Sequence, residues 1–126
     1  MPVLEDCSIK FFTNGTGKEC DTRINVMVKD DDDVIAALLS DDFGPFEQYS
    51  ENGPFDMTIK KASEKMGIRR GSISIGFEPK GDAIWRFNFF LSMLFSDGSR
   101  LAGGDSGMEL SDSLKELIYC VDEITR

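Results

Sequence analysis

Hydrophobic residues recur at every second position through much of this chain. Cys7, Ile9 and Phe11 share one face of a short run, with Ser8 and Lys10 opposite. Ile24, Val26 and Val28 repeat the pattern against Arg23, Asn25, Met27 and Lys29. Phe55, Met57 and Ile59 form a third set, and Ile73, Ile75 and Phe77, opposed by Ser72, Ser74 and Gly76, a fourth. Successive side chains of a strand point to opposite faces, so a period of two with one polar face predicts half-buried antiparallel strands. The longest such run is Ile84 to Phe95. There Trp85, Phe87, Phe89, Leu91, Met93 and Phe95 fall on one face, and Phe90 and Leu94 make the other face partly apolar. This pattern predicts a central strand whose far end is covered on both sides, with its aromatic stripe in the core.

Turn residues separate the runs. Asn14-Gly15-Thr16-Gly17, Pro79-Lys80-Gly81-Asp82 and Ser96-Asp97-Gly98-Ser99 read as compact polar turns. Val34 to Leu39 reads as a further strand, Asp41 to Pro54 as a longer loop, and 62–66 as a helical turn ended by Gly67. Near the C-terminal end, Ser113 with Glu116 fits a capping box, so a helical turn is placed over 111–116 with a closing strand from Lys115. Seven or eight short strands with close turns predict a mainly β fold, an antiparallel β-sandwich, as one domain spanning residues 1–126.

Composition narrows the partners. The 126 residues are 40% hydrophobic with 10 Phe, enough for a core without disulfides or structural metal. Charge is lopsided, with 14 Lys+Arg against 23 Asp+Glu giving −9, a field that repels phosphate. Nucleic acid is therefore not an expected partner, nor is an anionic membrane unless calcium bridges to it. Cations, basic proteins and neutral polar ligands are favoured. Met1 to Lys10 has neither a basic start nor a signal-length apolar run, so reduced cysteines in the cytoplasm are expected.

The chain has no histidine, which removes the usual general base, the Ser-His-Asp and Cys-His pairings and the commonest zinc ligand. No phosphate-cradling glycine motif is present either. A non-catalytic binding module is the expectation. Its candidate chemistry lies in acidic clusters, since calcium takes six to eight oxygens from carboxylates that converge from several loops. An EF-hand starting at Asp30 fails, because Val34 and Ile35 stand where an oxygen ligand and glycine are needed.

Antiparallel strands send successive loops to alternate ends of the sandwich. One end then collects Asp21, Asp41, Asp42 and Asp82, which are the expected calcium ligands. The other collects Asp30 to Asp33, Asp97 and Asp105 with the 61–70 segment, where Lys65, Arg69 and Arg70 would neutralise the Asp30 run as a solvated turn.

The segments Thr13 to Thr22 (TNGTGKECDT) and Glu78 to Phe87 (EPKGDAIWRF) resemble the ligand-gathering loop-to-strand junctions of C2 and PLAT modules. The resemblance is architectural and covers roughly Cys7 to Phe95. It implies calcium-assisted binding of lipid surfaces or of protein and sugar partners. A second reading is a metal-free protein-interaction or scaffold domain using the 41–54 loop, with Phe43, Phe46 and Tyr49 as anchors beside acidic residues. Against it stands the tendency of large loop aromatics to pack inward. A carbohydrate ligand would use the same loops, but Trp85 is placed inward.

Overall fold

The computed structural model describes residues 2–15, 23–41, 46–47, 49–78, 84–111 and 113–125. They form two antiparallel sheets. The strands are β1 (Leu4–Thr13), β2 (Arg23–Lys29), β3 (Ile35–Asp41), β4 (Glu51–Asp56), β5 (Thr58–Ile59), β6 (Ser72–Glu78), β7 (Ile84–Phe95), β8 (Arg100–Ser111) and β9 (Glu116–Cys120). Two short helices, α1 (Lys65–Arg69) and α2 (Val121–Ile124), follow β5 and β9. The four-stranded sheet runs β4-β1-β7-β8, and the five-stranded sheet runs β5-β3-β2-β6-β9. This is the expected mainly β sandwich, with nine strands among the described residues rather than seven or eight.

The period-two sets become the facing inner surfaces. Ile9, Phe11, Ile24, Val26, Val28, Ile73 and Ile75 are all fully buried, and so are Trp85, Phe87, Leu91, Met93 and Phe95. Phe11 is a hub of this core. Its ring centroid lies 5.2 Å from that of Trp85 and 6.0 Å from that of Phe87. The buried indole N–H of Trp85 donates to the Thr13 hydroxyl at 3.1 Å, which satisfies the polar groups of both.

Several expectations change. The alternation Phe55, Met57, Ile59 is not one strand. The chain leaves β4 at Asp56 and joins the other sheet at Thr58, with Met57 buried at the crossing and its N–H bonded to the Cys7 carbonyl at 2.8 Å. Alternation survives because both sheets face one core. β8 carries Gly103, Gly104 and Gly107 and a register shift opposite Phe87 and Phe89, so its sequence shows no period. Asp105 therefore lies inside a strand, not in a loop.

The helical turn near 62–66 forms one step later, as α1, with Gly67 inside it and Ile68 buried beneath. Over 111–116 the described residues are extended or irregular, and Ser111 caps the turn by accepting from the Leu114 N–H at 3.2 Å. The helix comes later, as α2, where Val121 and Ile124 are buried. Finally β7 is central, and its second face is covered only in part: Phe90 in mid-strand is 49% exposed, whereas Leu94 at the far end is half-buried.

Candidate binding face and acidic groove

The outer face of the four-stranded sheet follows from the β1–β7 register. Ser8 pairs with Ser92, Lys10 with Phe90 and Phe12 with Asn88, all on the side away from the core. Phe12 and Phe90 are thus diagonal cross-strand neighbours, close enough for large side chains to share one ligand. They are 38% and 49% exposed. Lys10 lies between them, its ammonium drawn 3.0 Å from Glu51 on β4. A groove of about 220 Å³ is lined by Ser8, Lys10, Pro54, Phe90 and Ser92. A smaller hollow of about 100 Å³ lies against Phe12, Asn88 and Phe90. Asn88 is fixed there, its side-chain oxygen accepting from the Asn14 amide at 3.0 Å and the Gly107 N–H at 2.9 Å.

Charge on this face nearly balances. By register, Lys10, Arg86 and Arg100 stand against Asp6, Glu51, Asp56 and Glu109. A nearly neutral, aromatic face on a chain of net charge −9 is a surface on which a partner meets little repulsion.

Of the loop aromatics, Phe43 lies outside the described residues. Phe46 is 3% exposed, stacked on Phe55 at 6.1 Å and 5.7 Å from Trp85, so it belongs to the core and is no surface anchor. The tendency of big loop aromatics to pack inward wins there. Tyr49 is the opposite case, 71% exposed with φ at +58°, a left-handed conformation uncommon for a bulky residue. Its N–H donates to the Asn14 carbonyl at 3.2 Å, and the Ser50 hydroxyl donates to the Glu47 carbonyl at 2.6 Å. These bonds hold the exposed ring at the end of the strip that runs through Asn14, Phe12 and Phe90.

Of the expected calcium ligands, Asp21, Asp42 and Asp82 lie outside the described residues. Asp41 ends β3 opposite Ile24, next to the pair Arg23 and Glu78. The strand ends that lead into the three acidic segments therefore meet at one end of the five-stranded sheet.

At the other end, a groove of about 700 Å³ runs between Asp30–Asp32 and the 61–70 segment. Carboxylate oxygens of Asp30, Asp31 and Asp32 come within 4.8 Å of one another. Asp30 itself is 6% exposed and its oxygens are spoken for. One accepts from the N–H groups of Asp32 at 3.0 Å and Val34 at 3.1 Å. The other accepts from Lys61 Nζ and the Ser63 hydroxyl, each at 3.1 Å. Burial pushes the Asp30 carboxyl up, but the bonds from Val34, Lys61, Asp32 and Ser63 together outweigh it and hold the group below its ordinary range. Four donors saturate the carboxylate, so the cluster is built as a structural staple rather than an ion cage.

The cations paired with the run are Lys61, on Asp30, and Lys29, 3.6 Å from Asp33. Of those expected, Arg70 lines the groove, whereas Lys65 reaches the Ser99 hydroxyl at 3.0 Å and covers the Phe95 ring, and Arg69 pairs with Asp122 at 3.1 Å. The signal that could have singled out Asp30 is local. Aspartate readily accepts from the backbone two and four residues on, which marks it as the residue that turns inward.

The two thiols among the described residues, Cys7 and Cys120, are shifted away from the reactive thiolate. Burial and then the neighbouring Asp6 push Cys7 up to about 12, and Glu123, by hydrogen bond and by charge, raises Cys120. No protein-family model matches the chain, and no curated protein proves similar to it.

Proposed function

We propose that the chain is a non-catalytic protein-recognition module that meets its partner on the outer face of the four-stranded sheet. The observation that carries this is the pair Phe12 and Phe90, neighbours on one face and both substantially exposed. Aromatic anchors beside hydrogen-bonding groups are the usual make-up of binding hot spots. Tyr49, Pro54 and Asn88 extend the surface, and its nearly balanced charge lessens the repulsion the rest of the molecule offers. The absence of histidine and the raised thiols of Cys7 and Cys120 support a binding role over a catalytic one.

The test is site-specific photocrosslinking in cells, with benzoylphenylalanine at position 90 and, as control, at exposed position 32. A discrete protein adduct from position 90 alone, lost when Phe12→Ser is added, is expected. No adduct, or the same adducts from both positions, overturns the reading.

A second reading keeps calcium at the end where Asp41 lies, favoured by the register that gathers the strand ends there. It requires a saturable rise in thermal stability with calcium but not magnesium, unaffected by Asp31→Asn and removed by Asp21→Asn with Asp82→Asn. No shift at millimolar calcium overturns it.

A further inference from the structure

A sandwich has four sheet edges, each offering unpaired N–H and C=O groups to another strand. Three of them are blunted here. β4 contains Gly53 and Pro54, which lacks an N–H, and its pairing with β1 shifts register. β5 is only two residues long. β8 is interrupted by its register shift and Gly107, and the Ile124 carbonyl is packed so closely on Gly103 that no side chain fits there.

β9 has none of these devices. Its five residues hold neither proline nor glycine, and they pair with β6 without a shift from Cys120 to Glu116. Among the described residues no strand lies beyond it. The phase of the ladder is fixed by the Phe77 N–H, which donates to the Lys115 carbonyl at 2.9 Å, and by the Val121 N–H, which donates to the Gly71 carbonyl at 3.1 Å. Alternation then pairs Leu117 and Tyr119 with β6 and turns the backbone groups of Glu116, Ile118 and Cys120 outward. Ile118 is 64% exposed in the middle of this open edge.

We infer that β9 is a strand-addition site that takes an extended, basic segment of a partner protein as a sixth strand of the five-stranded sheet. The outward backbone groups call for a strand. Side chains set its chemistry. Ile118 calls for an apolar residue, Glu116 flanks it on one side, and Glu123, near enough to raise the Cys120 thiol, lies on the other. A cation–apolar–cation alternation on one face of the incoming strand is complementary. A second copy fits poorly. Each copy carries −9, so two copies repel each other.

The probe is an acetylated, amidated Lys-Thr-Val-Thr-Lys peptide, read by amide hydrogen exchange. At nine-tenths occupancy the Glu116, Ile118 and Cys120 amides should slow roughly tenfold, because only the unbound fraction exchanges. In Ile118→Lys the gain should fall below about threefold, with the Leu117 and Tyr119 amides still protected as proof of an intact β6–β9 ladder. Phe90→Ser should leave the effect unchanged, which separates this edge from the aromatic face. The proposal is overturned if the three amides do not slow, if they are already protected in the free protein, or if protein concentration alone protects them.

Discussion

Replacing Asp30 tests whether the acidic groove is a staple. Asp30→Ala removes an acceptor of four hydrogen bonds. Their losses are unequal. Lys61 is about half exposed, so its ammonium returns to water, and the pair itself contributes about 1 kcal/mol or less. The Asp32 and Val34 amides belong to exposed residues and can also rehydrate, at about 0.5–1.5 kcal/mol each. Ser63 is 3% exposed, and its hydroxyl left without a partner costs about 1–3 kcal/mol. The sum is about 2–7 kcal/mol. Asp30→Asn keeps the acceptor facing the two amides but turns a donor toward Lys61 and Ser63, for about 2 kcal/mol. Lys61→Met should cost about 1 kcal/mol, which sets the order Ala, Asn, Met.

Urea unfolding followed through the buried Trp85 measures all three. The pH dependence adds a second check. The folded carboxyl is held below its ordinary value, so the unfolded chain binds more protons near pH 4. Its contribution is full above the unfolded pKa of about 3.9 and disappears as pH falls through the folded value. The gap between wild type and Asp30→Asn should narrow from pH 6 toward pH 3. An Asp30→Ala cost under about 1 kcal/mol, or a gap flat with pH, refutes the staple.

The two classes of phenylalanine should separate cleanly. Phe90→Ser and Phe12→Ser should each change stability by less than about 1 kcal/mol, whereas Phe46→Ser should cost about 3–5 kcal/mol in the same denaturation assay. Gly71→Ala should cost more than about 2 kcal/mol, because a Cβ there would overlap the Lys29 carbonyl and the backbone cannot yield cheaply. Gly98→Ala, open but at φ +83°, should cost about 1 kcal/mol and serves as the comparison in calorimetry.

The strands legible in the sequence were those whose two faces meet different surroundings. β2 and β7 alternate because one face is core and the other is open to solvent, and β6 alternates because its outward positions, though buried, carry the small residues Ser74 and Gly76. β8 was hidden, since glycines at Gly103 and Gly104 replace the side chains that would have shown a period, and close backbone approach requires them. The change of sheet at Met57 left no mark, because a strand facing the core from either side alternates alike. The site was less legible than the fold. Exposure of Phe90 depends on what covers the outer face, and the capture of Asp30 by Lys61 and Ser63 spans a separation of more than thirty residues. Local pattern carries neither.

The position of β1 has a cost during synthesis. Both of its neighbours are distant, with Ser8 opposite Asp56 on one side and Ser92 on the other. At about 5–20 residues per second, a nascent chain waits several seconds between making Ile9 and Phe11 and making the strand that covers them. The β2–β3 hairpin, whose partners are near in sequence, faces no such delay. Pulse-labelled refolding should accordingly protect the β2–β3 amides before those of β1, and simultaneous protection would contradict this order. Until β7 arrives, the first strand of this molecule is a sticky ribbon in need of shelter, and the interval belongs to the ribosome and its attendant chaperones.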